Sequence, residues 1–135
     1  MAGTVKETNA MISGMDPILD ATVYHFCVGP DHLLPKAIAS FKEAEGLSLI
    51  LPEDVAEQHG MLSDLPLKRI TLNVYSALDG VGLTAAVATV LAQEGIACNM
   101  VAGAHHDHAF VPANQADDAV SLLLSLANSR NNADS

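Results

Sequence analysis

The stretch from Lys68 to Ala113 constrains the fold more than any other part of the chain, because its apolar pattern changes period twice. Ile70, Leu72 and Val74 alternate with polar residues, as in a half-buried strand. After a loop with two glycines, apolar residues recur at helical spacing, at Leu83, Ala86, Val87, Val90 and Leu91. Alternation returns at residues 96–102, before a hairpin. The pattern therefore predicts a strand, a helix, two hairpin strands and a second helix.

The first half of the chain repeats part of this pattern. Residues 49–52 (LILP) and 109–112 (AFVP) each lead from the return strand of a hairpin through a proline into a helix. A further strand precedes each hairpin, at residues 22–28 and 70–76. In the first half a loop with two prolines, residues 29–35, stands where a crossover helix would be. We predict two copies of one α+β unit, packed side by side because one copy would be marginally stable.

The composition limits the partners that the chain accepts. The 135 residues include 16 acidic and 6 basic residues, for a formal net charge of −10. Such a surface repels phosphate backbones and anionic lipids, so we expect no nucleic-acid and no membrane binding. The N-terminus lacks the apolar stretch of a signal peptide, and we expect a cytoplasmic protein. Cys27 and Cys98 lie among apolar neighbours and are predicted to be buried free thiols.

The order strand–helix–strand–strand–helix is typical of a ferredoxin-like unit. Residues 81–103 (VGLTAAVATVLAQEGIACNMVAG) and 105–112 (HHDHAFVP) resemble the ACT domain family, in particular small bacterial proteins with two ACT units and no enzymatic domain. Residues 24–29 (YHFCVG) and 41–54 (FKEAEGLSLILPED) are similar to the divergent first unit of those proteins. The resemblance implies an α+β fold of two tandem βαββαβ units, packed side by side as in the regulatory portion of aspartokinases.

We accordingly predict a disordered N-terminus at residues 1–10, a divergent first ACT unit at 11–66, a second ACT unit at 67–128 and a disordered tail at 129–135. The sequence departs from the family pattern in two respects. The first unit has a degenerate first helix, and no strand is predicted after Ala127. Strand sharing between the halves would explain the second departure.

The loop of residues 79–82 joins a predicted strand to a helix start, where free N–H groups favour a carboxylate or phosphate. Asp79 would bind an ammonium group, and the two glycines let the backbone approach a ligand. The alternative is that Asp79 only caps the helix and the glycines only form the turn. ACT units hold their effectors near this loop, so the resemblance implies a ligand-binding set: Asp79, Gly80, Val81, Gly82, Leu83, Asn99 and His108.

The same loop also fits a dinucleotide-binding fingerprint, G-x-G-x-x-A, at Gly80, Gly82 and Ala85. The next strand, which ends at residues 99–102, carries no acidic residue for a ribose, and the further βα units of a Rossmann sheet are missing. We therefore reject nucleotide binding and expect no cofactor.

A second cluster, His105, His106, Asp107 and His108, occupies the predicted hairpin, and both residue types are common zinc or nickel ligands. Because strand residues alternate sides, His106 and His108 would face one way and the other two the opposite way. Two ligands on a side are too few for a closed metal site. Three interpretations stay open: a weak metal site, hydrogen bonds across the hairpin, and contact of His108 with an effector between the units.

No nucleophile lies beside a base in a known catalytic motif, and His25 is predicted to be a hydrogen-bonded, partly buried histidine. We expect a non-enzymatic regulatory protein that binds a small molecule, an amino acid, at the junction of its two ACT units and signals to a protein partner. A structural module that forms a homodimer through exposed sheet edges is the alternative. A metal-binding protein that uses the cluster at residues 105–108 is a third hypothesis.

Overall fold

The computed structural model describes residues 7–74 and 78–133. Four helices form, namely α1 (Thr8–Ser13), α2 (Glu53–Gln58), α3 (Leu83–Gln93) and α4 (Ala116–Ala133). Six strands form, namely β1 (Pro17–Gly29), β2 (Ala39–Glu43), β3 (Gly46–Pro52), β4 (Leu67–Leu72), β5 (Asn99–Ala102) and β6 (Asp107–Pro112). Within the described ranges, no helix is long and apolar enough to cross a membrane.

All six strands lie in one antiparallel sheet with the order β2-β3-β1-β4-β6-β5. The first three strands belong to the first unit and the last three to the second, so the units share a single sheet. They join where β1 pairs with β4, with Leu19 opposite Ile70 and Tyr24 opposite Leu67. Strand β1 of the first unit thus takes the position beside β4 that a terminal strand of the second unit would otherwise occupy. The predicted α+β fold with side-by-side units is confirmed.

The helices cover one face of the sheet. Helices α1, α3 and α4 share a core with the strands of the second unit, which includes Met11, Leu72, Val87, Val111 and Leu123. Helix α2 covers the first unit, where Ala56 packs with Leu49 and Leu51. A short 3₁₀ turn at Asp31–Lys36, which contains Pro35, stands in place of the crossover helix. The predicted loss of the first helix in this unit is therefore confirmed.

Both ends of the chain are more ordered than the sequence indicated. Helix α1 begins at Thr8, inside the stretch predicted to be disordered, and α4 continues to Ala133, inside the predicted disordered tail. Strand β1 begins at Pro17, five residues before the strand predicted at residues 22–28. A helix of six residues is unstable alone, and α1 forms because it packs on α4. Residues 1–6 and 134–135, and the end of the strand predicted at 70–76, lie outside the described residues.

His25 is hydrogen-bonded, as the sequence predicted, and is more deeply buried than predicted. Only 2% of its surface is exposed, and its Nδ1 atom accepts a hydrogen bond of 3.0 Å from the amide of Ser63. Its Nε2 atom therefore carries the proton and donates to Glu53 Oε1 at 3.1 Å. The imidazole thus ties β1 to α2 and to the connector between the units. Cys27 and Cys98 are free thiols, as predicted, but half-buried rather than fully buried.

Candidate functional site

The glycine loop leads directly into α3, as predicted. Gly82 precedes the first helical residue with φ +105°, a conformation that L-residues rarely adopt. Gly82 occupies the N-cap position and has no side chain with which to cap α3. The N–H groups of the first helical turn have no acceptors within the helix, and they form a positively polarised end.

A small cavity of about 140 Å³ lies at this end of α3. Its walls come from the loop, from the first turn of α3, from α1 and from the β5–β6 hairpin: Met11, Leu78, Gly80, Gly82, Leu83, Thr84, Ala102 and Asp107. We call this cavity the loop pocket. It combines N–H groups at a helix start with the carboxylate of Asp107, so these polar groups match a small zwitterion.

Helix α1 closes one side of the loop pocket. The hydroxyl of Thr8 donates a hydrogen bond of 2.6 Å to the carbonyl oxygen of Val81. The methyl group of Thr8 packs against Gly82, where an added Cβ atom would lie only 2.7 Å from it. Met11, one helical turn on, lines the cavity itself. The N-terminal helix therefore belongs to the site.

The predicted ligand-binding residues divide into three groups. Gly80, Gly82 and Leu83 line the loop pocket. Asp79 and Val81 are exposed members of the same loop that do not line it. Asn99 and His108 lie on the face of the sheet away from the helices. On β6, Ala109 and Val111 face the helices, so His108 and Phe110 face the other side. Asn99 is paired opposite Phe110 and therefore lies on that side too.

Sequence reasoning missed Met11, Thr84, Ala102 and Asp107 as site residues. The sequence indicated Asp107 only as a candidate metal ligand, but it faces the helices opposite Ala102 and reaches the loop pocket. The alternation of strand residues places Asp107 and His108 on opposite faces of the sheet, but it does not show which of the two faces the helices. Met11 carried no such signal, because no pattern in its stretch of sequence places it beside the glycine loop.

His108 interacts with a neighbouring strand rather than across its own hairpin. Its Nδ1 atom lies 3.0 Å from the Thr71 hydroxyl on β4. Burial lowers the pKa of His108, and the positive charge of Arg69 lowers it further. A neutral imidazole is therefore favoured at this position.

The cluster at residues 105–108 does not converge on a common point. Asp107 faces the helices and His108 faces the open side of the sheet, while the His106 carbonyl accepts the turn hydrogen bond from Gly103 at 2.9 Å. In the part of the chain that the structure describes, no three His, Cys, Asp or Glu side chains are grouped so that they could hold a metal ion.

The face of the sheet without helices carries a second, larger concavity. Phe110 lies edge-on to Tyr24 and Phe26, with ring centroids 5.9 Å and 5.3 Å away. One groove of about 560 Å³ is lined both by residues of β2 and by Val101 of β5. Because β2 and β5 are the two edge strands, the sheet must curl toward this face to bring them to the same groove. Phe41 is 73% exposed at the groove. We call this concavity the open-face groove.

Two family profiles match the chain in succession. Residues 4–68 match one ACT domain profile, and residues 67–125 match another. No curated protein matches the chain.

Several solved structures are similar to the chain. A protein of unknown function from Vibrio cholerae, described as a possible transport protein, is 43% identical, with 84% of this chain and 89% of that chain covered and a TM-score of 0.76. The regulatory subunit of aspartate kinase from Thermus thermophilus, in its ligand-free form, is 10% identical, with coverages of 82% and 95% and a TM-score of 0.54. A structure of aspartokinase alpha and beta subunits is 14% identical, with coverages of 83% and 97% and a TM-score of 0.58.

The two distant neighbours share the fold, which agrees with the shared six-stranded sheet. The two profile matches cover nearly the whole chain without a gap between them. The chain therefore belongs to the ACT domain family, as a protein with two tandem ACT domains.

Proposed function

We propose that this protein is a non-enzymatic regulator that binds a small amino acid in the loop pocket. The observation that carries the proposal is the position of this cavity at the start of α3. The resemblance to ACT units implies an effector at this loop. The carboxylate of the amino acid would accept hydrogen bonds from the first N–H groups of α3, which lack acceptors within the helix. Binding regulates a partner only if it favours one of two states of the protein.

The ammonium group of the ligand would face Asp107. This carboxylate lines the loop pocket, whereas Asp79, the residue that the sequence favoured for this role, does not. Asp79 lies next to Gly80 in the same loop, and its charge still favours a cation nearby. A ligand without the ammonium group would lose the attraction to these carboxylates, so we expect selectivity for the amino acid over the corresponding hydroxy acid.

A thermal-shift screen of the purified protein against the common amino acids tests this function. A ligand at a hundred times its dissociation constant adds about 2.7 kcal/mol to the free energy of unfolding, which raises the melting temperature by several degrees. Asp107→Asn should weaken binding at least tenfold, and Asp118→Asn, a change of an exposed carboxylate on α4, should leave it unchanged. Equal binding by the Asp107→Asn variant, or no shift with any amino acid, would contradict the proposal.

A second candidate function, assembly of a homodimer, has its own supporting observation. The open-face groove is lined mainly by apolar residues and carries one charged side chain, Glu43. In a chain with a net charge of −10, this is a face on which two copies can approach with little repulsion. Phe41 is exposed at the open-face groove, so this face offers both a protruding side chain and a concavity. In a symmetric dimer, the Phe41 ring of each copy could fill the groove of the other.

Light scattering over a range of protein concentrations tests the assembly. We expect a dimer for the wild type and a monomer for Phe41→Ser, since removal of this exposed ring leaves the fold intact but removes the protruding group. Leu124→Ser, on α4 and 46% exposed, is the matched control and should remain dimeric. A wild type that is monomeric at all concentrations would exclude this second function.

A further inference from the structure

Helix α1 lies within the first ACT match, at residues 4–68, and contributes a wall to the loop pocket at the start of α3 in the second unit. Met11 projects from α1 into the shared core with only 1% of its surface exposed, and it lines the cavity. Gly80 and Gly82 bring only backbone to the cavity, and Ala102 brings a methyl group. Leu83 belongs to the α3 core and Leu78 is 74% exposed. Met11 is therefore the long, buried side chain that comes from outside the loop and helix.

This wall is attached to the body of the protein and not only to the loop. The Glu7 carboxylate accepts hydrogen bonds from the amides of Asn9 and Ala10 at 3.1 Å and 2.7 Å, which closes the first turn of α1. The Asn9 side chain accepts a hydrogen bond of 3.0 Å from Arg130 on α4. Because α1 is fastened to α4, a ligand cannot push the helix away from the loop pocket without breaking these contacts.

The volume of the loop pocket is small for a ligand site. Drug-sized ligands occupy pockets of about 300–1,000 Å³, whereas this cavity measures about 140 Å³. A cavity of about 150 Å³ is known to accommodate a molecule of the size of benzene. Glycine, alanine and serine are of comparable size, and leucine and phenylalanine are larger.

We propose that Met11 sets the upper size limit of the effector, so that the loop pocket accepts amino acids with the smallest side chains and excludes branched and aromatic ones. This inference rests on the proposed function, since it concerns the same cavity. It adds a specificity-determining residue from the N-terminal helix and a substrate class, amino acids of up to about the size of serine. Replacement by alanine removes the Cγ, Sδ and Cε atoms of the wall and should let longer side chains enter.

Isothermal titration with glycine, alanine, serine, valine, leucine and phenylalanine tests the size limit in three proteins. The wild type should bind only the first three amino acids. Met11→Ala should bind valine or leucine at least tenfold more tightly than the wild type does. Met15→Ala is the matched control, because Met15 is equally buried in the same core but does not line the cavity. Met15→Ala should keep the wild-type preference for glycine, alanine and serine.

The outcomes separate this inference from the function on which it rests. If the wild type binds small amino acids and Met11→Ala shows the same preference, Met11 does not set the limit and only the inference fails. If the wild type binds large amino acids as well as small ones, the size limit itself is wrong. If no variant binds any amino acid, both proposals fail together. Should Met11→Ala not fold, Met11→Val retains more of the core and is subject to the same comparison.

Discussion

The hydroxyl of Thr8 donates a hydrogen bond of 2.6 Å to the carbonyl oxygen of Val81, a residue 73 positions later in the chain. This contact holds the N-terminal helix against the loop that precedes α3. Thr8→Val keeps the methyl group that packs on Gly82 but removes the donor, and should cost about 0.5–1.5 kcal/mol. Hydrogen exchange of the amides at residues 78–84 should become faster in this variant.

Thr8→Ser is the control for this contact, because it keeps the hydroxyl and loses the methyl group. Its exchange at residues 78–84 should stay close to that of the wild type. Equal exchange in wild type and Thr8→Val would mean that the hydrogen bond does not hold the loop.

Gly82 should tolerate no side chain. Its φ of +105° strains any L-residue, and a Cβ atom would lie 2.7 Å from the Thr8 methyl carbon. We expect Gly82→Ala to lower the free energy of unfolding by about 2 kcal/mol or more, from backbone strain and a steric clash together. Gly60→Ala is the comparison, since Gly60 has φ +65° but open space around it, and should cost about 1 kcal/mol. Urea denaturation of both variants measures the two losses in free energy of unfolding. Equal losses would show that the Thr8 side chain moves aside and no steric clash remains at Gly82.

The two units are joined by an ion pair whose strength should depend on pH. Arg69 Nη2 lies 3.0 Å from Asp20 Oδ2, which also accepts the hydrogen bond from the Tyr24 hydroxyl. Burial by itself would raise the pKa of Asp20, but hydrogen bonds from Tyr24, the Thr22 amide and Arg69 outweigh it and lower the pKa below 3.8.

Because the pKa is lower in the folded state, the unfolded state takes up the proton first as the pH falls. The contribution of Asp20 to stability is therefore fully present above pH 3.8 and is lost as the pH falls through the folded-state value. Asp20→Asn should be less stable than the wild type at pH 7, and the difference should shrink below pH 3.8. Urea denaturation from pH 7 to below pH 3.8 measures this difference in stability, and Asp64→Asn, a change of an exposed carboxylate, is the control. A difference that is the same at every pH would contradict the prediction.

Loss of the His25 imidazole should be costly because it leaves a partly buried donor, the Ser63 amide, without its acceptor. The Ser63 amide donates to Nδ1, and the ring fills a site that is 2% exposed. We expect His25→Ala to lower the free energy of unfolding by about 2–4 kcal/mol, through the unpaired amide and the cavity that remains. His32→Ala, a change of an exposed histidine, should alter stability by less than about 0.5 kcal/mol. Chemical denaturation measures the free energy of unfolding of both variants. A loss in His25→Ala as small as that in His32→Ala would show that His25 is dispensable for stability.

Much of the local structure was predictable from residue patterns. The glycine loop, α3 and the hairpins formed where the alternation and the helical spacing placed them, because these signals depend on neighbouring residues only. The face on which His108 lies was not predictable. Ala109, Phe110 and Val111 are all buried, so β6 has apolar residues on both faces and its periodicity does not mark either.

The sequence by itself determined that this chain forms two α+β units and that a glycine loop begins the helix of the second. Only the tertiary structure decided which side chains surround that loop. Helix α1 is too short to be stable without α4, and Asp107 reaches the loop pocket because the register of β5 and β6 sets it opposite Ala102. Both outcomes depend on contacts between residues far apart in the chain, which local patterns do not encode.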